Sequence, residues 1–379
     1  MNSMKNRYVD FKLKKEERRG DIPLLFSVVM LSLFGLVFVY SASNYSSLST
    51  YGNKYYVAGK HLVGLLIGYA LMVFGANFDS EKYKKFALYG LVFSVILLAL
   101  CLTPLGVENY GAKRWIKVGP ITVQPSEISK ICYVIFSASY FAKDPERAKS
   151  LKGIIPIILT GLIICGLIIL EPNMSITMCF GMLMLAILFA SGVKFRHFVL
   201  LLVPVILSVP VLIIAEPYRL NRLSAFLNPW ESPKGEGYQL LQSLYALSSG
   251  GWFGVGLFNS RQKFKFLPFS ESDFILAVIG EEVGFIGLLA LFLLIFFIFY
   301  RGIRIAVRSK NAFGFMTATG ISSVFIIQSL VNALVVTGSI PPTGLPLPLV
   351  SAGNTSLAVF LFSFGVLYNL SKKCDDKTL

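Results

Sequence analysis

The stretch IPLLFSVVMLSLFGLVFVYSAS, residues 22–43, decides the fold because it runs for 22 residues without a charged side chain. A helix that crosses a lipid bilayer needs about 20 mostly apolar residues. The pattern predicts an all-α integral membrane protein with ten transmembrane helices and a long extracellular loop, residues 216–272, between helices 7 and 8. The other nine apolar blocks are residues 57–76, 86–105, 125–142, 153–170, 174–191, 197–215, 274–300, 313–337 and 353–371.

Composition leads to the same class. The chain has 379 residues, of which 55% are hydrophobic and 15% charged, whereas soluble domains have about 45–50% and 25%. This balance excludes a soluble enzyme and a disordered chain. The five cysteines lack metal-ligand spacing and the two histidines lie at opposite ends of the predicted topology, which argues against a zinc or redox centre built from them.

The net charge of +15 predicts the orientation in the membrane. If the N-terminus lies inside, 23 of the 35 Lys and Arg residues fall on the inner side and 11 on the outer side. The positive-inside rule then places both termini in the cytoplasm, and the charge requires no nucleic-acid partner. The predicted organisation is a basic, uncleaved cytoplasmic segment at residues 1–21, one transmembrane domain at residues 22–371 and a cytoplasmic tail at residues 372–379.

Three outer segments have their own patterns. Residues 238–249 carry leucines on one side, which predicts an amphipathic helix in the outer membrane interface. Residues 338–354, GSIPPTGLPLPLVSAGN, are too apolar for a free loop and too interrupted for a span, so we expect them to dip back into the protein. The glycine pattern of residues 250–256 follows no strand, which indicates a flexible turn and not a nucleotide loop.

A few ionisable residues lie in or beside the predicted spans. Glu127 and Lys130 share a helix face and form either a buried ion pair or the wall of a polar cavity open to the outer leaflet. Glu281 and Glu282 need a partner, and Lys130 is the intramembrane cation that we expect to contact one of them. Asp273 precedes helix 8, either as a carboxylate favoured by the helix dipole or as a general base.

The outer side also carries cations that suit phosphate. Each alone would be a solvated side chain, but as a set on the side where cations are scarce they indicate anion binding. They are Lys113, Arg114, Arg219, Arg222, Lys263 and Lys265.

Five motifs resemble one known family. They are GAKRWIKVGPITVQPSEISK (111–130), NRLSAFLNPW (221–230), GYQLLQSLYALSSGGWFGVGL (237–257), NSRQKFKFLPFSESDFILAVIGEEVGFIG (259–287) and PPTGLPLPLVSAGNTSL (341–357). In sequence and order they are similar to the SEDS family (shape, elongation, division and sporulation), the group of RodA, FtsW and SpoVE. The NSRQK sequence looks more like the FtsW/SpoVE branch.

The resemblance implies a peptidoglycan glycosyltransferase that polymerises lipid II at the outer face of the bacterial cytoplasmic membrane, for cell division or cell-wall synthesis. It implies that Asp273 is the essential carboxylate. Our hypothesis is that Asp273 acts as general base on the GlcNAc 4-hydroxyl, which attacks C1 of the lipid-bearing MurNAc with inversion, while cations hold the diphosphate. Glu281 and Glu282 are structural residues of the cavity. The resemblance implies roles for Lys113, Arg114, Glu127 and Lys130 at the site. Together with the other outer residues, the predicted substrate-binding set is Lys113, Arg114, Glu127, Lys130, Arg219, Arg222, Lys263 and Ser351.

The chain departs from the family pattern at three places. Phe269 stands where relatives often have Glu, Asn173 replaces an Asp, and residues 351–357 read SAGNTSL where relatives have SYGGSSL. Asp273 is retained, so the departures bear on the geometry of the outer loops and not on the chemistry.

The resemblance also implies partners. The family usually works with a class B penicillin-binding protein, a transpeptidase, and with other division or elongation proteins. The sequence requires no cofactor; Mg²⁺ or Mn²⁺ could share the neutralisation of the diphosphate, but no ligand set for a cation can be read. Two other functions stay open: a lipid II flippase, which needs a polar path through the whole membrane, and a non-catalytic scaffold for a transpeptidase.

Overall fold

The computed structural model describes residues 20–109, 112–119, 121–214, 217–235 and 237–374. Within these ranges the helices are α1 Ile22–Tyr51, α2 Tyr56–Asn77, α3 Ser80–Cys101, α4 Pro125–Lys143, α5 Leu151–Leu170, α6 Met174–Ala190, α7 Phe195–Ile214, α8 Pro217–Leu227, α9 Tyr238–Gly250, α10 Ile275–Arg308, α11 Ala312–Val336 and α12 Asn354–Ser371. The strands are β1 Gly106–Asn109, β2 Ala112–Val118 and β3 Ile121–Val123.

Seven of the described helices are long and apolar enough to cross a membrane, namely α1, α2, α3, α5, α10, α11 and α12. Helix α6 and the first part of α7 are apolar but shorter. The mostly helical architecture is therefore confirmed, whereas the number of ten spans stays a prediction. The predicted loop of residues 216–272 contains two helices, α8 and α9, of which the sequence pattern predicted only the second.

The described residues of segment 106–124 include the three strands of a small antiparallel sheet, in the order β1-β2-β3. Val107 lies opposite Trp115, and Lys117 lies opposite Thr122. Gly119 turns the chain between β2 and β3 with a φ of +61°, a conformation that glycine adopts without steric cost. The purely helical prediction is wrong here, because a short sheet on top of the bundle leaves no span-length signal in the sequence.

Helices α2 and α12 pack closely through glycines. A Cβ on Gly365 would lie 2.1 Å from the carbonyl oxygen of Met72, and one on Gly68 would lie 2.4 Å from the side chain of Leu361. Small residues at such contacts let helix backbones approach, which is the usual basis of helix association in lipid. This packing joins the last helix of the chain to the second.

Helix α10 breaks at Gly284, where the backbone has φ +65° and ψ −168°. The break leaves backbone groups of residues 281–286 without partners inside the helix. Two of these carbonyls and two of these N–H groups bond to the backbone of residues 251–256, at donor–acceptor distances of 2.9–3.2 Å. A Cβ on Gly254 would lie 2.1 Å from the carbonyl oxygen of Glu282. The glycine-rich segment is therefore held against α10, and the prediction of a flexible turn is wrong.

Residues 338–353 connect α11 to α12, and most of residues 345–351 are buried in the protein. Leu345, Leu347, Leu349 and Val350 are at most 2% exposed, as expected from the prediction that this segment dips back into the protein. We call residues 338–353 the re-entrant segment.

Helix α9 does not lie freely in the interface. Leu240, Leu241 and Ser243 are buried, and the Ser243 hydroxyl donates to the carbonyl of Val336 at the end of α11, at 2.7 Å. The amphipathic pattern thus reflects packing on the helical bundle.

Candidate functional site

Asp273 lies at the end of the long outer segment, two residues before α10 begins at Ile275. Its backbone carbonyl accepts a hydrogen bond from Nδ2 of Asn332 in α11, at 2.8 Å. Its side chain is half-buried and faces the re-entrant segment, because a Cβ on Gly344 would lie 3.3 Å from Oδ2. A glycine at 344 therefore leaves the space in front of the carboxylate open.

The backbone before Asp273 is fixed by the re-entrant segment. Ser351 donates its hydroxyl to the carbonyl of Ser272 at 2.6 Å and accepts from the N–H of Leu347 at 2.8 Å. The N–H of Ala352 donates to the carbonyl of Glu271 at 2.9 Å. Ser351 is itself buried, so in this structure it positions Asp273.

Burial determines the acidity of Asp273. It raises the pKa of the carboxyl group to about 6, against the positive charges of Arg222 and Arg114, which lower the pKa, while Glu271 raises it further. Desolvation disfavours the charged form of a carboxyl group. A carboxylate with a pKa near 6 is ionised at neutral pH and still accepts a proton readily.

The two arginines that act on Asp273 come from separate elements. Arg114 in β2 donates from Nε to the carbonyl of Glu171 at 3.3 Å, and its guanidinium also donates to the carbonyl of Pro172. Arg222 in α8 donates to the carbonyl of Pro342 in the re-entrant segment at 3.3 Å. These bonds hold both guanidinium groups near the carboxylate.

Two further predicted cations, Lys113 and Arg219, are close neighbours of these arginines in the sequence. Lys113 precedes Arg114 in β2, where its backbone pairs with Glu108 of β1. The side chain of Arg219 lies outside the described part of the structure.

Glu127 and Lys130 form a fully buried ion pair, with Nζ of Lys130 2.8 Å from Oε1 of Glu127. Nζ also donates to Oε1 of Gln328 in α11 at 2.6 Å, and Nε2 of Gln328 donates to the carbonyl of Pro346 at 3.0 Å. Both charged side chains are 0% exposed. Of the two alternatives from the sequence, the geometry is that of the buried ion pair. The pair is connected to the re-entrant segment beside Asp273 by the hydrogen bonds of Gln328.

Glu281 and Glu282 do not contact Lys130, so that prediction is wrong. Glu281 accepts hydrogen bonds from the hydroxyl of Ser260 at 2.5 Å and from the N–H of Arg261 at 3.0 Å. Glu282 accepts from Ser41 Oγ of α1 at 2.6 Å. The two carboxylates thus hold the turn of residues 260–262 against the helices.

Lys263 belongs to this buried cluster. Its ammonium group lies 3.7 Å from Glu282 and donates to the carbonyl of Phe258, and the side chain is 4% exposed. The prediction that it binds substrate phosphate is not compatible with this burial, because the charge is already paired inside the protein. Lys265, by contrast, is exposed and donates to Ser49 Oγ at 2.6 Å.

Two site residues were missed at the sequence level, Gln328 and Asn332. They lie four positions apart in the apolar helix α11, so they share a face. Each donates to a carbonyl of the re-entrant segment, Gln328 to that of Pro346 at 3.0 Å and Asn332 to that of Leu345 at 2.8 Å. A pair of amides at this spacing in a span is the signal that could have found them.

A metal centre has no ready ligand set in the described ranges, where no group of three or more His, Cys, Asp or Glu side chains could hold an ion. The carboxylate and arginine arrangement supports chemistry in which a base removes a proton and cations stabilise a leaving anion.

The chain is similar to known proteins over most of its length. A family model described as "Cell cycle protein", FTSW_RODA_SPOVE, matches residues 23–376. A probable peptidoglycan glycosyltransferase FtsW of Trichlorobacter lovleyi is 37% identical over 356 residues, covering 93% of both chains. Stage V sporulation protein E of Bacillus subtilis is 36% identical over 356 residues, covering 93% of this chain and 97% of the relative.

Solved structures show the same fold. A chain from a study of the coordination of polymerization and crosslinking by a peptidoglycan synthase complex superposes with a TM-score of 0.78 at 24% identity, covering 93% of this chain and 97% of the other. The rod shape determining protein RodA of Thermus thermophilus superposes with a TM-score of 0.68 at 23% identity, covering 94% and 98%.

Proposed function

The chain belongs to the cell cycle protein family of FtsW, RodA and SpoVE, and on that premise we propose that it is a peptidoglycan glycosyltransferase that polymerises lipid II. The observation that carries the proposal is Asp273, a half-buried carboxylate that faces the re-entrant segment, whose pKa burial raises to about 6 against the opposing charges of Arg222 and Arg114. The curated relatives with more than 30% identity include proteins named for this activity.

The proposed reaction needs a base and a way to stabilise the leaving group. Asp273 removes the proton from the GlcNAc 4-hydroxyl of one lipid II, whose oxygen forms a bond to C1 of the lipid-bearing MurNAc. The bond from C1 to the diphosphate oxygen breaks with inversion, and its electron pair leaves with the lipid diphosphate. A sugar hydroxyl is a weak nucleophile until its proton is removed, so the reaction needs a base at this position.

The leaving diphosphate gains negative charge, which cations stabilise in the transition state. Arg114 and Arg222 are the best placed, because both act on Asp273 and both are anchored by backbone carbonyls. Arginine binds phosphate oxygens in a bidentate manner. Lys113, beside Arg114, supplies a third positive charge.

The test is polymerisation of lipid II by the purified chain in nanodiscs. Asp273→Asn should lower the rate by about 10²–10⁴-fold, the range for losing a general base, with an unchanged chromatographic profile. Glu231→Gln is the matched control, since Glu231 is an exposed carboxylate of the same outer segment, and it should polymerise at the normal rate. A rate for Asp273→Asn within threefold of the unmodified chain would refute the role of Asp273.

The proposal extends to a partner and an orientation. The solved structure that superposes with a TM-score of 0.78 comes from a peptidoglycan synthase complex that coordinates polymerization and crosslinking, which supports a transpeptidase of class B as the partner of this chain. We place both termini in the cytoplasm. The ion pair of Arg301 with Asp21, at 2.6 Å, and that of Lys373 with Asp79, at 3.3 Å, would then lie at the inner surface.

A further inference from the structure

A cleft of about 270 Å³ lies at the N-terminal ends of α2 and α12, beside the sheet and residues 346–353 of the re-entrant segment. Asp273 does not line it, although Ala352, which does, also holds the backbone before Asp273 through its bond to Glu271. No Asp or Glu belongs to its described lining. The polar and aromatic side chains that line it are Lys60, His61, Trp115, Thr122, Gln124, Asn354, Thr355 and Ser356.

His61 is the unusual member of this cleft. Its side chain is 1% exposed, and neither ring nitrogen has a hydrogen-bond partner in the described structure. An imidazole carries at least one N–H whatever its protonation state, and buried polar groups are nearly always hydrogen-bonded. A ligand that accepts a hydrogen bond from His61 would satisfy it.

The N-terminus of α12 points to the charge of that ligand. Residues 353–356 line the cleft, and the N-cap Gly353 makes no side-chain cap to this 18-residue helix. The first N–H groups of a helix lack partners within the helix and attract anions. Lys60 adds a positive charge to the same lining.

We propose that this cleft binds the diphosphate of a lipid-linked saccharide. The inference rests on the proposed function. Polymerisation brings two lipid-linked saccharides to the protein together, and each carries a diphosphate. The groups around Asp273 act where the new glycosidic bond forms, so the second diphosphate needs another site. The surroundings fit a lipid: Trp115 is an aromatic of the type found at membrane interfaces. Val63 and Ile67 follow Lys60 on the same face of α2 and are 56% and 41% exposed, which leaves an apolar surface for an isoprenoid chain.

The experiment uses the two histidines of the chain as reporters. The full chain, labelled with ¹⁵N-histidine, is placed in nanodiscs, and its imidazole signals are assigned with His197→Gln. Three additions are compared: a polyprenyl diphosphate in the nanodisc, inorganic pyrophosphate in solution, and the polyprenol without phosphate. We expect the His61 signal to shift with the lipid diphosphate, to shift only at higher concentration with pyrophosphate, and to stay unchanged with the polyprenol.

A charge variant tests the same cleft. Lys60→Gln should weaken the lipid diphosphate by about tenfold, the effect of losing one charge-assisted contact. Lys54→Gln is the matched control. Lys54 lies just before α2, its ammonium group lies over the Tyr55 ring as that of Lys60 lies over Tyr56, and it is not part of the cleft lining, so the affinity of this variant should be unchanged. A His61 signal that ignores both anions, or an affinity that Lys60→Gln leaves intact, would overturn the proposal.

The titration does not depend on polymerisation. It is repeated with Asp273→Asn, which should bind the lipid diphosphate normally. A chain that polymerises lipid II but shows no His61 shift refutes the cleft and leaves the proposed function standing, whereas a chain that shifts but never polymerises refutes the proposed function and supports the cleft. If pyrophosphate binds as tightly as the lipid, the anion site stands and its assignment to a lipid is refuted.

Discussion

One amide group joins Asn332 to Asp273: Nδ2 of Asn332 donates both to the backbone carbonyl of Asp273 and to that of Leu345 in the re-entrant segment, each at 2.8 Å. Asn332 lies in the interior of α11 and is 1% exposed. The position of the proposed base is therefore fixed from a transmembrane helix, and the wall in front of it is fixed by the same side chain.

Replacing this amide should reduce catalysis through geometry alone. Asn332→Ala removes both hydrogen bonds, and we expect kcat for lipid II polymerisation to fall by about 10–100-fold, because displacement of a catalytic group by about 1 Å costs that much. Asn332→Asp should behave similarly, since an ionised carboxylate has no N–H to donate. Rates are measured over a range of lipid II concentrations, so that kcat and KM are separated.

The matched control is Ser329→Ala on the same helix. Ser329 is fully buried, and its hydroxyl donates to Phe325 of its own helix at 2.8 Å, so it has no link to the re-entrant segment. Its kcat should stay within twofold of the normal value. Equal losses for Ser329→Ala and Asn332→Ala would mean that α11 is merely sensitive to substitution.

The sequence predicted most helices because span length leaves a strong signal. It singled out Asp273 because this carboxylate lies where the long outer segment enters an apolar block and because it matches the SEDS motif. It could not pair Asp273 with Asn332, 59 positions away. Nor could it find the partners of Glu281, because these are backbone N–H groups and a serine of the outer segment, and backbone donors are present at every position. The sequence argument chose Lys130 as the partner of Glu281 or Glu282 because Lys130 is a cation within a predicted span.

The buried pair of Lys130 and Glu127 should respond strongly to the loss of one partner. Lys130→Met leaves the carboxylate of Glu127 buried without a counter-charge, and we expect a loss of about 3–5 kcal/mol in stability, seen as a lower thermal unfolding midpoint in detergent. The double change Lys130→Met with Glu127→Gln should recover most of the loss.

A second lysine and glutamate pair with the same spacing provides the control. Lys149 and Glu146 lie 2.6 Å apart, but their side chains are 58% and 72% exposed. Lys149→Met should leave the midpoint unchanged, because exposed pairs contribute little. A midpoint for Lys130→Met as high as that of Lys149→Met would show that Glu127 finds another partner.

The raised pKa of Asp273 predicts a pH profile for polymerisation. The base must be ionised, so the rate should rise with pH and reach half its maximum near pH 6. Asp273→Glu, which keeps a carboxyl group but changes its position, should lower the plateau. A rate independent of pH between about 5 and 7.5 would contradict a base with this pKa.

The same shift makes Asp273 a cost to folding, with a definite sign. Its pKa in the folded chain, about 6, is higher than the ordinary value of 3.8, so the folded state disfavours the ionised form. The cost is absent below about pH 4, grows as the pH rises from about 4 to 6, and is constant above that range. Asp273→Asn should therefore raise the unfolding midpoint at pH 7.5 by about 2–4 °C, and the gain should disappear at low pH. An equal gain in the midpoint at pH 7.5 and at low pH would show that burial of the charge is not the cause.

The break in α10 should tolerate no side chain at Gly284. Its φ of +65° with a ψ of −168° is a conformation that essentially only glycine adopts, and a Cβ there would lie 2.4 Å from the backbone nitrogen of Gly254. Gly284→Ala should thus displace residues 251–256 and lower both the yield of folded protein and the polymerisation rate. Gly181→Ala in α6, where a Cβ would meet nothing within 4 Å, should leave both unchanged. Hydrogen exchange checks the mechanism, because the N–H groups of residues 255 and 256 should lose protection in Gly284→Ala alone; protected N–H groups in that variant would show that the segment is held by other contacts.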